Sequence, residues 1–264
     1  MDKSYIETNK KTWNDRVDTH VQSEFYDLTG FIAGKSSLNK IELDLLGDLT
    51  GKKVLHLQCH FGQDSISLAR MGAQVTGVDL SDKAIQKANE LAKETQANAQ
   101  FICCDMYDLP NHLNEEFDLV FTSYGTIGWL PDLEKWAQLV QKYLKPGGKF
   151  VFVEFHPVMW MYDNDFNEVF YSYFKTDPIV ETEQGTYADK QADLTLTSVT
   201  WNHALSEVMT NLLKQNLTLN DFQEYDFSPY NISSHMTKST EKNTYIIEKF
   251  GNKIPLVYSL VFTK

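Results

Sequence analysis

Residues 54–81 read VLHLQCHFGQDSISLARMGAQVTGVDLS. Two short apolar runs, 53–57 and 74–79, flank a stretch with Ile66, Leu68 and Ala69 at helical spacing. Gly72 is a helix stop, and Ser81 is a cap for the next helix, which continues through 84–93. This alternation is that of a parallel sheet with helices on both faces. It carries on downstream. Residues 98–103 (NAQFIC), 117–122 (FDLVFT) and 149–155 (KFVFVEF) predict three more strands. A helix over 132–144 puts Leu133, Trp136, Leu139, Val140 and Leu144 on one face and ends in a Lys145-Pro146-Gly147-Gly148 turn. His156-Pro157 breaks the rhythm. Period-2 stretches at 168–173 and 194–199 predict an antiparallel β insertion within 158–200. A helix over 204–215, a strand over 217–227, a polar loop over 228–242 and a last strand over 255–263 follow. Upstream, Trp13, Val17, His20 and Val21 recur at helix period, so 1–50 reads as helical.

The chain has 264 residues, 42% of them hydrophobic and 23% charged, enough to bury a core. With 24 Lys and Arg against 36 Asp and Glu, its formal charge is −12. Such a surface repels phosphate backbones and anionic membranes, which argues against nucleic-acid and membrane partners. There is no apolar run long enough to span a bilayer and no secretory h-region at the start. Three cysteines, Cys59, Cys103 and Cys104, form neither a disulfide framework nor a paired zinc motif, and a cytoplasmic location is the simplest expectation. His56, Cys59 and His60 lack the remote partners of a tetrahedral set, so no metal is expected.

In an open parallel sheet, ligands bind at the carboxyl ends of the strands. There lie the loop from Gln58 to Asp64, then Asp79-Leu80-Ser81, Cys104-Asp105-Met106, and Ser123-Tyr124. Asp79, 17 residues beyond Gly62, is placed to accept both hydroxyls of a ribose, and equally to cap the helix at Ser81. Asp105 is placed to accept from an adenine amine, and equally to be a surface turn acid. His156 follows the fifth strand and His203 begins the helix after the insertion; each is a candidate general base or a structural histidine. A dinucleotide fingerprint would need glycines where Gln58 and His60 stand, which counts against NAD.

The runs HLQCHFGQD, VTGVDLS, CCDMYDL, FDLVFTSYGTIGWL and LKPGG resemble class I S-adenosylmethionine-dependent methyltransferases over about residues 50–156. The first loop is similar to that of a bacterial branch of the family. The family usually has an acid at the place of His56 and glycines at those of Gln58 and His60; only Gly62 of that glycine set is kept. The resemblance implies an α/β, three-layer Rossmann-like fold. Its seven-stranded sheet would be mostly parallel with an antiparallel last strand. The expected organisation is a single 1–264 domain: an N-terminal helical lid (1–50), a cofactor-binding core (51–156), a β insertion over the substrate (157–200) and completion of the sheet (201–264). It implies S-adenosyl-L-methionine as cofactor and S-adenosyl-L-homocysteine as product. Carried over by position, Asp79 and Leu80 would hold the ribose and adenine, and Asp105 and Met106 the adenine edge and face. Gln58, Cys59, His60, Gly62 and Gln63 would surround the methionine moiety, with the side chains of Gln58 and His60 around its carboxylate. Ser123 and Tyr124 would sit near the sulfonium, with Trp13 and Tyr26 closing over it. Candidate catalytic residues are His156, His203 and Tyr124. The expected reaction is methylation of an O, N or S atom of a small metabolite. A non-catalytic regulatory protein binding the same cofactor on this fold is the alternative. The sequence does not set the oligomeric state.

Overall fold

The computed structural model describes residues 4–239 and 244–264. In chain order the elements begin with α1 (Ser4–Gln22), α2 (Leu28–Ile32), α3 (Lys40–Leu46), β1 (Lys53–Leu57), α4 (Gln63–Arg70), β2 (Gln74–Asp79), α5 (Asp82–Glu94), β3 (Ala99–Cys103) and β4 (Phe117–Ser123). They continue with α6 (Leu133–Tyr143), β5 (Leu144–Phe155), β6 (Ile179–Gln184), β7 (Thr195–Thr200), α7 (Leu205–Lys214), β8 (Thr218–Tyr225), β9 (Met236–Lys238), β10 (Tyr245–Ile247) and β11 (Val257–Thr263). Seven strands form one sheet in the order β3-β2-β1-β4-β5-β11-β8. The strands from β3 across to β5 pair in parallel, and β11 runs antiparallel to both β5 and β8. The expected sheet, with its reversed last strand, is what the chain forms.

Alternation along the strands sorts side chains into two cores. Val54, Leu119, Phe121, Val151 and Val261 meet Leu46 of α3 and Leu68 of α4 on one face. Leu55, Leu57, Val120, Phe150, Phe152 and Leu260 meet Trp136 and Val140 of α6, and Val208 and Leu212 of α7, on the other. Trp136, Phe150 and Phe152 are fully buried; each buried side chain of this size stabilises the fold by roughly 1.5–3 kcal/mol.

Three expectations are corrected. Lys145–Gly148 is not a free turn: it is drawn into β5, where Leu144 pairs with Phe117 across a register shift and Gly147 N donates to Lys264 O at 2.8 Å. In the insertion, 168–173 forms no strand and contributes one bridge, Tyr162 with Val169. The hairpin is instead β6 paired antiparallel with β7. The period-2 pattern at 168–173 comes from aromatics, and Phe170 remains exposed. The segment 228–242, read as loop, contains β9, which pairs with β10. Its residues 240–242, like residues 1–3 of the N-terminal segment, lie outside the described residues.

Gly77 in β2 sets how closely the layers approach. A Cβ there would stand 2.6 Å from the Phe101 ring and 2.9 Å from Cys59 Sγ. Overpacking of this kind costs about 1–3 kcal/mol. Gly77→Ala should lower the unfolding free energy by that amount, read in equilibrium urea unfolding as a lower midpoint at an unchanged m-value.

Candidate active site

The loop between β1 and α4 carries three left-handed residues within five: Gln58 at φ +55°, His60 at +51° and Gly62 at +81°. Two of them bear side chains in a conformation that favours glycine. The loop thus keeps a glycine-type backbone path while adding an amide and an imidazole. Gly62 is needed for packing as well, because a Cβ there would sit 2.7 Å from Phe101 and 2.9 Å from Ala88. The Cys59 thiol lies beside Gly77, so Cys59 offers the site its backbone rather than its buried sulfur. Gln63 opens α4, and its Nε2 donates to Tyr26 O at 2.9 Å.

Asp79 ends β2 beside this loop. It accepts from His60 N at 2.8 Å through Oδ2 and from Ser81 N at 2.9 Å through Oδ1. Each oxygen keeps a further lone pair. Burial pushes its carboxyl above the ordinary range, opposed by these backbone donors. The capping role at Ser81 belongs to the Ser81 side chain, which accepts from Ala84 N at 3.0 Å. Asp105 caps the 3-10 turn over Met106–Asn111, accepting from Tyr107 N at 3.0 Å. Leu80, Asp105 and the buried Met106 line the same cavity as Asp79.

At the end of β4, Ser123 Oγ donates to Asp64 Oδ2 at 3.3 Å. Tyr124 is left-handed at φ +44° and its hydroxyl donates to Glu42 Oε2 at 3.1 Å. Asn39 Nδ2 donates both to Glu42 Oε1 (3.3 Å) and to the Tyr230 hydroxyl (2.7 Å). Glu42 is fully buried. Burial first, and then the Asp64 carboxylate, push its carboxyl up to about 7. Burial, and then Glu42, hold the Tyr124 phenol well above its ordinary value. The turn that follows is pinned by Glu154, which accepts from Thr126 N (2.7 Å), Thr126 Oγ1 (2.8 Å), Phe155 N (2.7 Å) and Gly125 N.

The helix α1 lies across these strand ends. Asn9 exchanges a pair of bonds with Val199 of β7 at 2.8 and 2.9 Å, and Thr12 donates to Thr197 O. Asn14 accepts from Ser81 Oγ at 2.6 Å. His20 Nδ1 meets His60 Nε2 at 2.9 Å, and burial lowers both imidazoles, His20 to about 3. A neutral His60 already bonded to His20 supplies no positive charge to a carboxylate, which departs from the expected role of its side chain. Trp13 stands edge-on to His60 at 5.1 Å, and the Tyr26 hydroxyl meets that of Tyr187.

Together these elements enclose a cavity of about 850 Å³, within the range of small-molecule sites. Every expected cofactor residue lines it: Trp13, Tyr26, Gln58, Cys59, His60, Gly62, Gln63, Asp79, Leu80, Asp105, Met106, Ser123 and Tyr124. The two histidines fare differently. His156 is absent from the lining; its Nδ1 accepts from Val158 N at 3.2 Å, so Nε2 carries the proton and donates to Glu224 at 2.9 Å. His203 does line the cavity, but both its ring nitrogens are occupied, one by Leu130 O (2.8 Å) and the other by Glu207 Oε2 (3.0 Å). Sequence reasoning missed Arg16, Asn39, Glu42 and Tyr230, which have no motif and converge only in the fold. Among the described residues no three His, Cys, Asp or Glu side chains converge as a metal cage, and no helix is long and apolar enough to cross a membrane.

A family model described as a methyltransferase domain matches residues 54–148. An uncharacterized methyltransferase of Synechocystis is 33% identical over 164 residues, 60% of this chain and 74% of that protein. The chain belongs to the class I S-adenosylmethionine-dependent methyltransferases. More particular likenesses follow. A ubiquinone biosynthesis O-methyltransferase of Idiomarina loihiensis is 32% identical over 134 residues, 49% of this chain and 55% of that protein. The chain thus spans about half the length of this relative. Among solved structures, geranyl diphosphate C-methyltransferase from Streptomyces coelicolor shares the fold with a TM-score of 0.62 at 15% identity, with 98% of each chain covered.

Glu42 gives a pH signature. Its folded-state pKa of about 7 stands above its ordinary 4.5, so the folded protein holds a proton there that the unfolded chain gives up first. Its contribution is fully present below 4.5 and is lost as pH rises towards 7, an effect on the order of 3 kcal/mol. Glu42→Gln should flatten that decline, raising stability relative to wild type at pH 8 more than at pH 4.5. Urea unfolding at the two pH values checks this, and parallel curves for both proteins would refute it.

Proposed function

We propose that this protein transfers a methyl group from S-adenosyl-L-methionine to an oxygen, nitrogen or sulfur atom of a small metabolite in the cytoplasm. One observation carries the reading: carboxylates at consecutive strand ends, Asp79 and Asp105, face one roofed cavity beside a left-handed loop. Asp79 would accept from the ribose hydroxyls with Leu80 against the adenine. Asp105 and Met106 would take the purine edge and face. The fit extends to Gln58, whose Nε2 is fixed on Thr126 O at 2.8 Å while its Oε1 is buried without a partner. An orphaned acceptor beside the loop suits the ammonium of the methionine end. The acids lining the cavity favour a cationic sulfonium over a polyanion.

The cofactor supplies an electrophilic methyl on a positively charged sulfur. The protein's part is to align the acceptor and exclude water, which can be worth roughly 7–11 kcal/mol. The roof of α1 and the β6–β7 hairpin suits a small acceptor better than a nucleic acid. For an acceptor that must lose a proton, His156 and His203 are poorly placed, both ring nitrogens of each being engaged. Tyr124 is better placed. Its hydroxyl faces the cavity wall and already donates to Glu42, so a proton taken by the phenol oxygen has an exit to the carboxylate. The ubiquinone relatives are O-methyltransferases by name, which supports oxygen as one of the acceptor atoms.

Calorimetry with S-adenosylhomocysteine should show saturable binding to wild type. Asp79→Ala should weaken it about 10- to 100-fold, the value of charge-assisted bonds to a diol. A wild type giving no heat at millimolar ligand would remove the reading. Release of S-adenosylhomocysteine from S-adenosylmethionine across a panel of phenols, amines and thiols would identify the acceptor atom.

A further inference from the structure

Asp79 and Asp105 end β2 and β3, on one side of β1 in the sheet; β4 and β5 lie on the other side, and their ends carry a chain of rings. Phe25 stacks on Tyr230 at 5.4 Å, and Tyr230 meets Tyr124 edge-on at 5.1 Å. Tyr124 meets Phe155 at 5.4 Å, and Phe155 meets Trp160 at 5.9 Å. All five rings line the cavity, and Trp160 is 42% exposed, so the chain runs from the interior to the surface. Asp64, in the first turn of α4, lines the same cavity, and its charge acts on Tyr124, Tyr230 and Glu42. Its donors are the hydroxyls of Ser37 and Ser123, the latter at 3.3 Å. Among the described residues no cation pairs with Asp64 or with Glu42. The lysine and arginine that line the cavity lie against other groups: Lys35 pairs with Asp27 at 2.7 Å, and the Arg16 guanidinium lies over Trp13 and Trp129. A carboxylate taken from water with only hydroxyl donors is incompletely compensated, and burial raises the Asp64 carboxyl above its ordinary range. Aromatic faces attract cations.

We propose that this ring-lined side of the cavity is the acceptor subsite, that its substrate is a primary or secondary amine bound as the ammonium ion, and that Asp64 fixes the nitrogen. The assignment rests on the cofactor reading above and narrows the acceptor atom to nitrogen. An ammonium supplies both things the wall lacks: a positive charge for Asp64 and for the ring faces, and N–H donors for the carboxylate oxygens. A carboxylate or phosphate would meet Asp64 with nothing to balance it, and a neutral phenol would leave the acid without a counter-charge. The bond from Ser123 sets Asp64 next to the residue that the cofactor reading puts beside the sulfonium, so a nitrogen held there stands close to the methyl. An ammonium and a sulfonium repel each other, and passing one proton from nitrogen to Asp64 removes that repulsion. The nitrogen lone pair then forms the C–N bond while the C–S bond breaks with its electron pair on sulfur. The products are the methylated ammonium and S-adenosylhomocysteine, and Asp64 returns its proton to water.

The test uses the full chain saturated with S-adenosylhomocysteine, which carries no sulfonium charge and leaves the subsite's own charge to be read. Calorimetry compares benzylamine, phenethylamine and hexylamine with the matching alcohols and with phenylacetate. The best of the amines should bind about 10-fold or more tightly than its alcohol, and phenylacetate should bind weakest. Asp64→Asn should bring that amine down to the level of its alcohol while the affinity for S-adenosylhomocysteine stays within about threefold, which also shows that the variant is folded. Asp64→Ser serves if the asparagine variant is insoluble. Turnover of the same amine with S-adenosylmethionine should place the new methyl on nitrogen, read by mass spectrometry. Absence of an amine preference across the panel, a preference that survives Asp64→Asn, or methylation confined to phenols or thiols overturns the assignment. Failure of wild type to bind S-adenosylhomocysteine would instead overturn the cofactor reading itself.

Discussion

The left-handed path between β1 and α4 is the constraint on which the site depends. A non-glycine residue held in that region costs about 1–3 kcal/mol and persists only where its surroundings fix it. Here the surroundings do so from both sides. Below, Gly77 and Gly62 let Phe101 and Cys59 close against the loop, and Cys59 N donates to Val78 O at 2.9 Å. Above, Gln58 is tied to Thr126 and His60 to His20. The side chains that make the backbone unfavourable are the same ones that couple the loop to the turn after β4 and to α1. A loop of glycines would follow this path without strain and would touch neither neighbour.

Burial of charge organises the rest. The strand ends bring Asp64, Asp79, Asp105 and Glu154 to one cavity wall. Glu154 is satisfied from within, by the backbone of the turn after β4, and so acts as a fixed anchor for that turn. Asp79 is satisfied in part, by two backbone donors, and retains acceptor capacity towards the cavity. Glu42 has neutral donors, Tyr124 and Asn39, and no cation, and burial together with the Asp64 carboxylate makes it hold its proton to higher pH. These carboxylates have the same chemistry and are separated in role by which groups donate to each one.

The sheet was legible because each strand carries its own local signature. Apolar runs such as KVLHL and KFVFVEF, bounded by turn residues, specify strand and face without reference to anything distant. The acids at the ends of β2 and β3 were legible for the same reason, since a strand end is a position in sequence as well as in space. The β insertion was legible in kind and not in register. Alternation at 168–173 is as regular as at 194–199, and what separates them is that only the second falls in a strand that finds a partner, β7 with β6. His156 followed a strand as a catalytic base would, but its ring turns towards β8 and Glu224, a contact 68 residues away that no spacing rule contains.

The roof shows most clearly where periodicity stops being informative. Trp13, Val17, His20 and Val21 suggest a helix with an apolar inner stripe. The residues that α1 buries are instead Asn9, Thr12, Arg16, Val17 and His20, a mostly polar stripe at three- and four-residue steps. A helix that turns polar groups inward cannot be held by a core in the ordinary way. It needs a specific partner for each group. Asn9 and Thr12 find the backbone of β7, and His20 finds His60. Arg16 Nε and His20 Nε2 are the atoms of the stripe that are buried with no hydrogen-bond partner among the described residues. Hydrophobic pattern ranks such a face as solvent-exposed. Asn9 and Arg16 of that face line the cavity, so residues that hide α1 from sequence reasoning are the ones that set it against the candidate site.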